Sequence, residues 1–291
     1  NRLPGSITTP RHRIAWSPDG KGYAYISSNQ PNPGVTVLVN GKAMGPTYSN
    51  ANELKWNADG TRFAYLGVSP NGFFEVIDGQ EIESLNDVPE FQWSPDGKRY
   101  AFMGKTVTVV DGKELAKTRG QRILESFVWS ADSRHFAYTN QTYGSGAEPV
   151  VDGEMKPFFT EVFQQTTQAL PKIGFPPMVF SPDGAHLAYL GRTFDATRRA
   201  NSRAGVVIDG VRNEGPGESY MYPSWSPDSK HFGVMAGNGR GWGAMIDGKM
   251  GAVYEAILQN NGAACHFVDG HSFRFFGIRD GQIYRVTFDI G

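Results

Sequence analysis

With 291 residues and a mass of 31.9 kDa, the chain is long enough for two ordinary domains or for one large all-β domain. Its 28 Lys and Arg against 29 Asp and Glu leave a formal charge of −1, which excludes a global field that would gather nucleic acid or an anionic membrane. The single cysteine, Cys265, excludes an internal disulfide and a Cys-rich metal site, and no apolar run approaches the ~20 residues of a membrane-spanning helix.

The 36 glycines and 18 prolines do not pool into a low-complexity tract; they fall at regular turn positions. The first residues, Arg2 to Thr9, precede any repeat. From there an aromatic followed by an Asp-Gly or Asp-Ser turn recurs at Trp16, Trp56, Trp93, Trp129, Phe180, Trp225 and Phe267, at spacings of about 40 residues. The stretch Phe91 to Gly112 shows the unit most clearly. An apolar run ends in Trp93, the turn Ser94-Pro95-Asp96-Gly97 reverses the chain, and an alternating run covers Tyr100 to Met103. A β-branched run from Val107 to Val110 then meets a second turn, Asp111-Gly112. Pro presets φ, Asp bonds to its own backbone and Gly accepts positive φ, so each turn has a mechanism.

The second-strand run recurs at Tyr23 to Ile26, Phe63 to Leu66, Phe136 to Tyr138, Leu187 to Leu190, Phe232 to Met235 and Phe273 to Phe276. The second turn recurs as Asn40-Gly41, Asp78-Gly79, Asp152-Gly153, Asp209-Gly210 and Asp247-Gly248, each calling for a fourth strand. Seven units of four antiparallel strands predict an all-β fold, a seven-bladed β-propeller in a single domain over 1–291. The expected blades are 11–49, 50–87, 88–123, 124–170, 171–219, 220–259 and 260–291. The last reads as three strands to Gly291, so the strand Arg2 to Thr9 is expected to complete it and close the edge. Truncating that strand is then expected to lower the melting temperature sharply.

The repeat Trp-Ser-Pro-Asp-Gly, Lys/Arg-aromatic-Ala-Tyr, Val-Val-Asp-Gly resembles the WD-repeat-like, TolB-type propeller repeat of many bacterial envelope proteins. The resemblance spans nearly the whole chain. Units two to four match best, and unit seven departs most, with Val268 where Pro usually stands. It implies the fold and a periplasmic or extracellular location, with a secretion signal removed ahead of Asn1. It implies no single activity, because the family includes binding scaffolds, enzyme accessory domains and proteins of other kinds.

Function is expected where loops vary. Turns after strands one and three are short and uniform, whereas connections at the other end lengthen at Ser27 to Val35, Asn140 to Pro149, Thr160 to Pro177, Arg192 to Gly205 and Gly237 to Gly241. Three of these belong to units four and five and predict a raised, partner-binding ridge. Its candidate residues are Tyr143, Phe163, Phe175, Arg192, Arg198, Arg199 and Arg203, joined by Arg240 and Trp242 of unit six; aromatics and Arg anchor protein interfaces. Arg198 and Arg199 have only Asp195 as a close acidic neighbour in sequence and fit a carboxylate, sulfate or phosphate, so an anionic small ligand is a further expectation.

No nucleophile elbow, His-Glu-x-x-His, phosphate loop or dinucleotide fingerprint is present, and no catalytic residue, cofactor or metal site is assigned. Turn chemistry accounts for Asp19, Asp59, Asp96, Asp132, Asp183, Asp228 and Asp269 without calcium. His135, His186 and His231 share a slot expected to face solvent. The expected function is a non-catalytic binding scaffold, a subunit of a larger protein complex. The alternatives are a hydrolase or lyase at the channel mouth, using Glu125, Glu218 or Arg240 with Glu53 and Glu90 nearby, and an accessory propeller of a peptidase.

Overall fold

A computed structural model describes residues 14–28, 34–85, 90–104, 107–115, 120–122, 127–142, 146–156, 161–162, 178–195, 198–213, 215–258 and 264–290. Of 83–85, 120–122, 141–142, 146–148, 161–162, 192–195 and 198–203 it describes the backbone path alone. Every ordered element among these residues is a β-strand, and every pairing is antiparallel between near neighbours in sequence. The strands sort into seven sheets, the blades of a β-propeller.

The chain divides into two compact units, residues 1–117 and 118–291. In the first unit, sheet one runs Ile14–Trp16, Tyr23–Ser28, Val35–Val39 and Lys42–Ala43. Sheet two runs Asn50–Trp56, Phe63–Ser69, Gly72–Ile77 and Gln80–Leu85, and sheet three Glu90–Trp93, Tyr100–Met103, Thr108–Val110 and Lys113–Glu114.

In the second unit the first strand is often split. Sheet four pairs both Gly120–Arg122 and Val128–Trp129 with Phe136–Thr142, followed by Gly146–Val151 and Glu154–Met155. Sheet five pairs Glu161–Val162 and Met178–Phe180 with Leu187–Asp195, then Arg198–Ile208 and Val211–Asn213. Sheet six is Ser219–Trp225, Phe232–Asn238, Gly241–Ile246 and Lys249–Met250. Sheet seven pairs Ala256–Ile257 and Cys265–Phe267 with Ser272–Arg279, then Gln282–Asp289. Sheets four, five and seven therefore start at Gly120, Glu161 and Ala256, earlier than the expected 124, 171 and 260. The expected closing strand, Arg2 to Thr9, lies outside the described residues.

Alternation on the second and third strands places the core between consecutive sheets. One side of sheet two, with Phe63, Tyr65 and Val76, packs on Ala24, Val37 and Val39 of sheet one. Its other side, Ala64 and Ile77, packs on Phe91, Phe102 and Val109 of sheet three. In the second unit Val206 and Ala188 of sheet five meet Phe232, Val234 and Met245 of sheet six, and Met235 and Ile246 of sheet six meet Phe273 and Phe275 of sheet seven. Burying sheet faces this way is worth about 2 kcal/mol for each large apolar side chain.

One end of each sheet is built by the turn residues. Ser17 Oγ donates to Asp19 Oδ1 (2.6 Å), while Lys21 N donates to the same oxygen (3.0 Å) and Gly22 N to Ser17 Oγ (2.7 Å). The same bonds recur around Asp96, Asp132, Asp183 and Asp228. The Ser hydroxyl holds the carboxyls of Asp19, Asp132, Asp183 and Asp228 below the ordinary value of 3.8, with the turn amide adding to it.

Candidate functional site

The hairpin aspartates occupy the left-handed region, with φ of 48° to 51° at Asp78, Asp111, Asp152, Asp209 and Asp247 and 50° at Asn40. In that pose each carboxylate reaches back across the sheet to the start of the second strand. Asp209 Oδ1 accepts from Leu187 N (2.9 Å) and its Oδ2 meets His186 Nδ1 (2.6 Å). Asp152 and Asp247 do the same with His135 and His231, and Asp78 and Asp111 with Arg62 and Arg99. The slot expected to face solvent is thus a polar clamp, and the sequence signal for it was the pairing of a basic residue with an Asp-Gly 12 to 23 residues on.

The clamp also faces the next sheet. The His186 ring stacks on Trp225 (5.5 Å, 25°), and the Arg62 guanidinium lies 4.9 Å above Trp93. The same tryptophans donate to the preceding sheet's backbone, Trp225 Nε1 to Val179 O (3.1 Å) and Trp93 Nε1 to Lys55 O (3.3 Å). The histidines, aspartates and tryptophans of this end are engaged in holding sheets together. Among the described residues no group of three or more His, Cys, Asp or Glu could hold a metal ion. Cys265 is a largely buried thiol, pushed up to about 12 by burial, with its Sγ 3.7 Å from Tyr222 O.

The opposite ends differ from sheet to sheet. Asn140 to Pro149 and Arg192 to Gly205 were expected to be irregular loops; their described residues pair as antiparallel strands. In sheet four the ladder continues from Ala137↔Val151 out to Thr142↔Gly146. In sheet five it continues from Ala188↔Ile208 through Arg192↔Ala204 and Thr193↔Arg203 to Asp195↔Arg198, with a bulge between Thr193 and Asp195. The ladder of sheet four is six pairs long, as are those of sheets two and six; that of sheet five runs on through Arg192 to Asp195 and Arg198 to Arg203, residues without the apolar alternation by which strands are read. The outer half of the split first strand, Gly120–Arg122 on Asn140–Thr142 and Glu161–Val162 on Gly191–Arg192, holds the place that Asn50–Asn52 holds in sheet two. Strand Gly146–Val151 of sheet four contacts Glu161–Val162 of sheet five, so these two ends are neighbours.

Arg192, Arg198 and Arg203 sit on the ladder of sheet five and Arg199 on the same strand as Arg198. Tyr143, Phe163 and Phe175 lie outside the described residues, as does Glu125. In sheet six the connection is a tight turn, where Arg240 is exposed and its amide bonds to Asn238 Oδ1 (2.9 Å). Trp242 is half-buried, its ring beside Gly237 and its backbone bridged to Tyr254. Of the carboxylates weighed for catalysis, Glu53 pairs with Lys55 (3.0 Å), Glu90 accepts from Gln92 Nε2 (2.8 Å), and Glu218 opens sheet six with its amide on Gly237 O (2.7 Å).

Sequence reasoning missed Glu75. It lies on the third strand of sheet two, is 1% exposed, and its Oε1 has no hydrogen-bond partner. Burial pushes its carboxyl up to about 8, against a lowering by Lys55.

No family model matches the chain, and no curated protein does. It is similar to several solved structures. Hydrazine synthase of Kuenenia stuttgartiensis is 14% identical over 100% of both chains, with a TM-score of 0.38. A eukaryotic initiation factor is 15% identical over 99% of this chain and 76% of its own, with a TM-score of 0.46. A putative TolB from Agrobacterium tumefaciens is 14% identical over 72% of this chain and 80% of its own, with a TM-score of 0.36. Likeness at this level carries no argument about activity, and the fold stands on the seven sheets themselves.

Proposed function

We propose that the chain is a non-catalytic binding scaffold of the bacterial cell envelope or exterior, a subunit of a larger protein assembly. The partner docks on the neighbouring hairpin ends of sheets four and five. The observation that carries this reading is the length of the sheet-five hairpin: its second and third strands run nine and eleven residues, the longest among the described residues, against seven and six in sheets two, four and six, and sheet four lies beside it. A rigid strand platform offers a surface at little ordering cost, which is what a binding site on a scaffold needs. Arg192, Arg198, Arg199 and Arg203 give it a basic character suited to an acidic segment of a protein partner, with a small anion as the minimal ligand. The envelope location follows from the repeat's resemblance to TolB-type propellers.

The test is native purification of the tagged chain followed by mass spectrometry, repeated with Arg198→Ala/Arg199→Ala. The expected result is a co-purifying protein that is lost in the double variant while the melting temperature stays within a degree or two. Retention of the same partner by the variant overturns the assignment of the site.

A further inference from the structure

The third strand of each sheet has one position, three residues before its Asn/Asp-Gly turn, occupied by Val37, Glu75, Thr108, Pro149, Val206 and Ala244 in turn. Only sheet two places an acid there. Ile77, two residues on and therefore on the same face, packs with Ala64 of its own sheet and Phe91, Phe102 and Val109 of sheet three, so Glu75 points into that apolar interface. With no hydrogen-bond partner for its Oε1 among the described residues, the Glu75 carboxyl costs several kcal/mol to charge in place.

Two cations lie between these sheets: Arg62 sits at the turn end over Trp93 and donates to Lys98 O, and Lys55 stands further in. It lies opposite Ala64 in the ladder, and its Nζ donates to Phe91 O of sheet three (3.0 Å) while pairing with Glu53 Oε2 (3.0 Å). Lys55 thus ties the first strands of sheets two and three together. Glu53 itself holds a left-handed backbone, φ 54°, at the bulge between Asn52 and Lys55. The other charged groups nearby are turned elsewhere or sit at the edge. Glu81 on the fourth strand accepts from Tyr48 on the sheet-one side, Glu90 accepts from Gln92, and Glu83 is the register partner of Glu75. Sheet three presents Phe91, Tyr100, Phe102 and Val109 to this face.

We propose that Glu75, Lys55 and Glu53 form a proton-operated switch in the interface between the second and third sheets. With its proton on, Glu75 is a neutral side chain in an apolar wall and Lys55 stays on Glu53 and Phe91 O. When hydroxide removes the proton, the new carboxylate draws the Lys55 ammonium toward itself. The link to Phe91 O is given up, the Glu53 bulge loses its partner, and the join between the two sheets loosens. One proton, that of Glu75, is lost to solvent per switching event. The sign follows from the raised carboxyl. The folded chain holds a proton that the unfolded chain releases near 4.5, so stability falls as pH rises from there to about 8.

The experiment is a carbon-detected NMR titration of the Glu75 carboxyl in the wild type and in Lys55→Met, with melting temperature followed from pH 6 to 9 for both and for Glu75→Gln. The expected results are a Glu75 midpoint near 8, a higher midpoint in Lys55→Met, a Lys55 Nζ resonance that shifts with Glu75, and a wild-type melting temperature that falls with pH while Glu75→Gln stays level. A Glu75 midpoint in the ordinary carboxylate range, or a Lys55 resonance indifferent to Glu75, overturns the switch. The NMR arm uses the wild type, so the proposal stays testable if Glu75→Gln folds poorly.

Discussion

The two ends of these sheets obey different rules. At one end, five hairpin aspartates adopt the same φ within a few degrees and close the same clamp on the second strand. At the other end the connections range from the long ladder Leu187–Asp195 and Arg198–Ile208 to the tight turn at Gly239 and Arg240. The first end carries the sheet's internal bonds and can change little. The second carries none of the inter-sheet clamps described here and is where the sheets differ, which is why binding is placed there.

The sharpest way to break this contrast is to find an intolerant residue at the variable end, and Gly241 is one. Its φ is 142°, and a Cβ there would run into the carbonyl oxygen of Tyr254. Gly241→Ala is expected to cost about 3 kcal/mol through strain and overpacking. Gly239, two residues away, has nothing within 4 Å of its would-be Cβ, and Gly239→Ala is expected to lie within about 0.5 kcal/mol of wild type. Chemical denaturation of the two variants measures the difference. Equal costs would mean that the bridge between Trp242 and Tyr254 does not constrain this turn.

At the uniform end, Asp209→Ala removes the acceptor of both Leu187 N and His186 Nδ1 from a residue with φ 50°. The expected loss is about 2 kcal/mol. Asp209→Asn keeps the amide acceptor, as Asn40 does natively toward Tyr23 N (3.0 Å), and is expected to cost roughly half as much. If the two variants unfold at the same denaturant concentration, the acceptor for Leu187 N contributes nothing measurable and the clamp rests on its link to His186.

A milder probe is acid. The turn carboxyls of Asp19, Asp132, Asp183 and Asp228 titrate below 3.8, held down first by the Ser hydroxyl, and Asp59 likewise by Thr61. A depressed carboxyl stabilises the fold above its unfolded value and loses that contribution as pH falls through its folded value. These turns are therefore expected to contribute evenly from neutrality down to about pH 4, while the protonation of Glu75 raises the melting temperature over that range, and to lose their contribution below it. Ser181→Ala and Ser226→Ala bring the folded values of Asp183 and Asp228 closer to 3.8 and should make that loss smaller. A loss of unchanged size would show that the turns are held by their backbone bonds alone.

These cases show what can be read from residues. Trp93, Ser94, Asp96 and Asp111 state a local rule, turn chemistry plus alternation, and the structure obeys it sheet by sheet. The clamp was less visible because His186 and Asp209 stand 23 residues apart and only the sheet brings them together. The long sheet-five ladder was invisible as strands because Arg192 to Asp195 and Arg198 to Arg203 carry no apolar period. Glu75 was hidden for the opposite reason, since a single acid inside the run Phe73 to Ile77 looks like the solvent side of an alternating strand.

The smallest stability effect carries the most functional weight. Arg198→Ala/Arg199→Ala alters two residues on the long sheet-five ladder, next to a bulge, where the backbone bonds remain intact after truncation. Surface truncations of this kind change stability by no more than about 0.5 kcal/mol. A basic anchor at a docking surface costs about 2 kcal/mol of binding or more when removed, roughly thirtyfold in affinity. Measured side by side, the two numbers separate the roles that the uniform end cannot separate, because there the same groups hold the fold. If the double variant instead unfolds readily, these arginines belong to the scaffold and the contrast between the two ends fails at its most specific point.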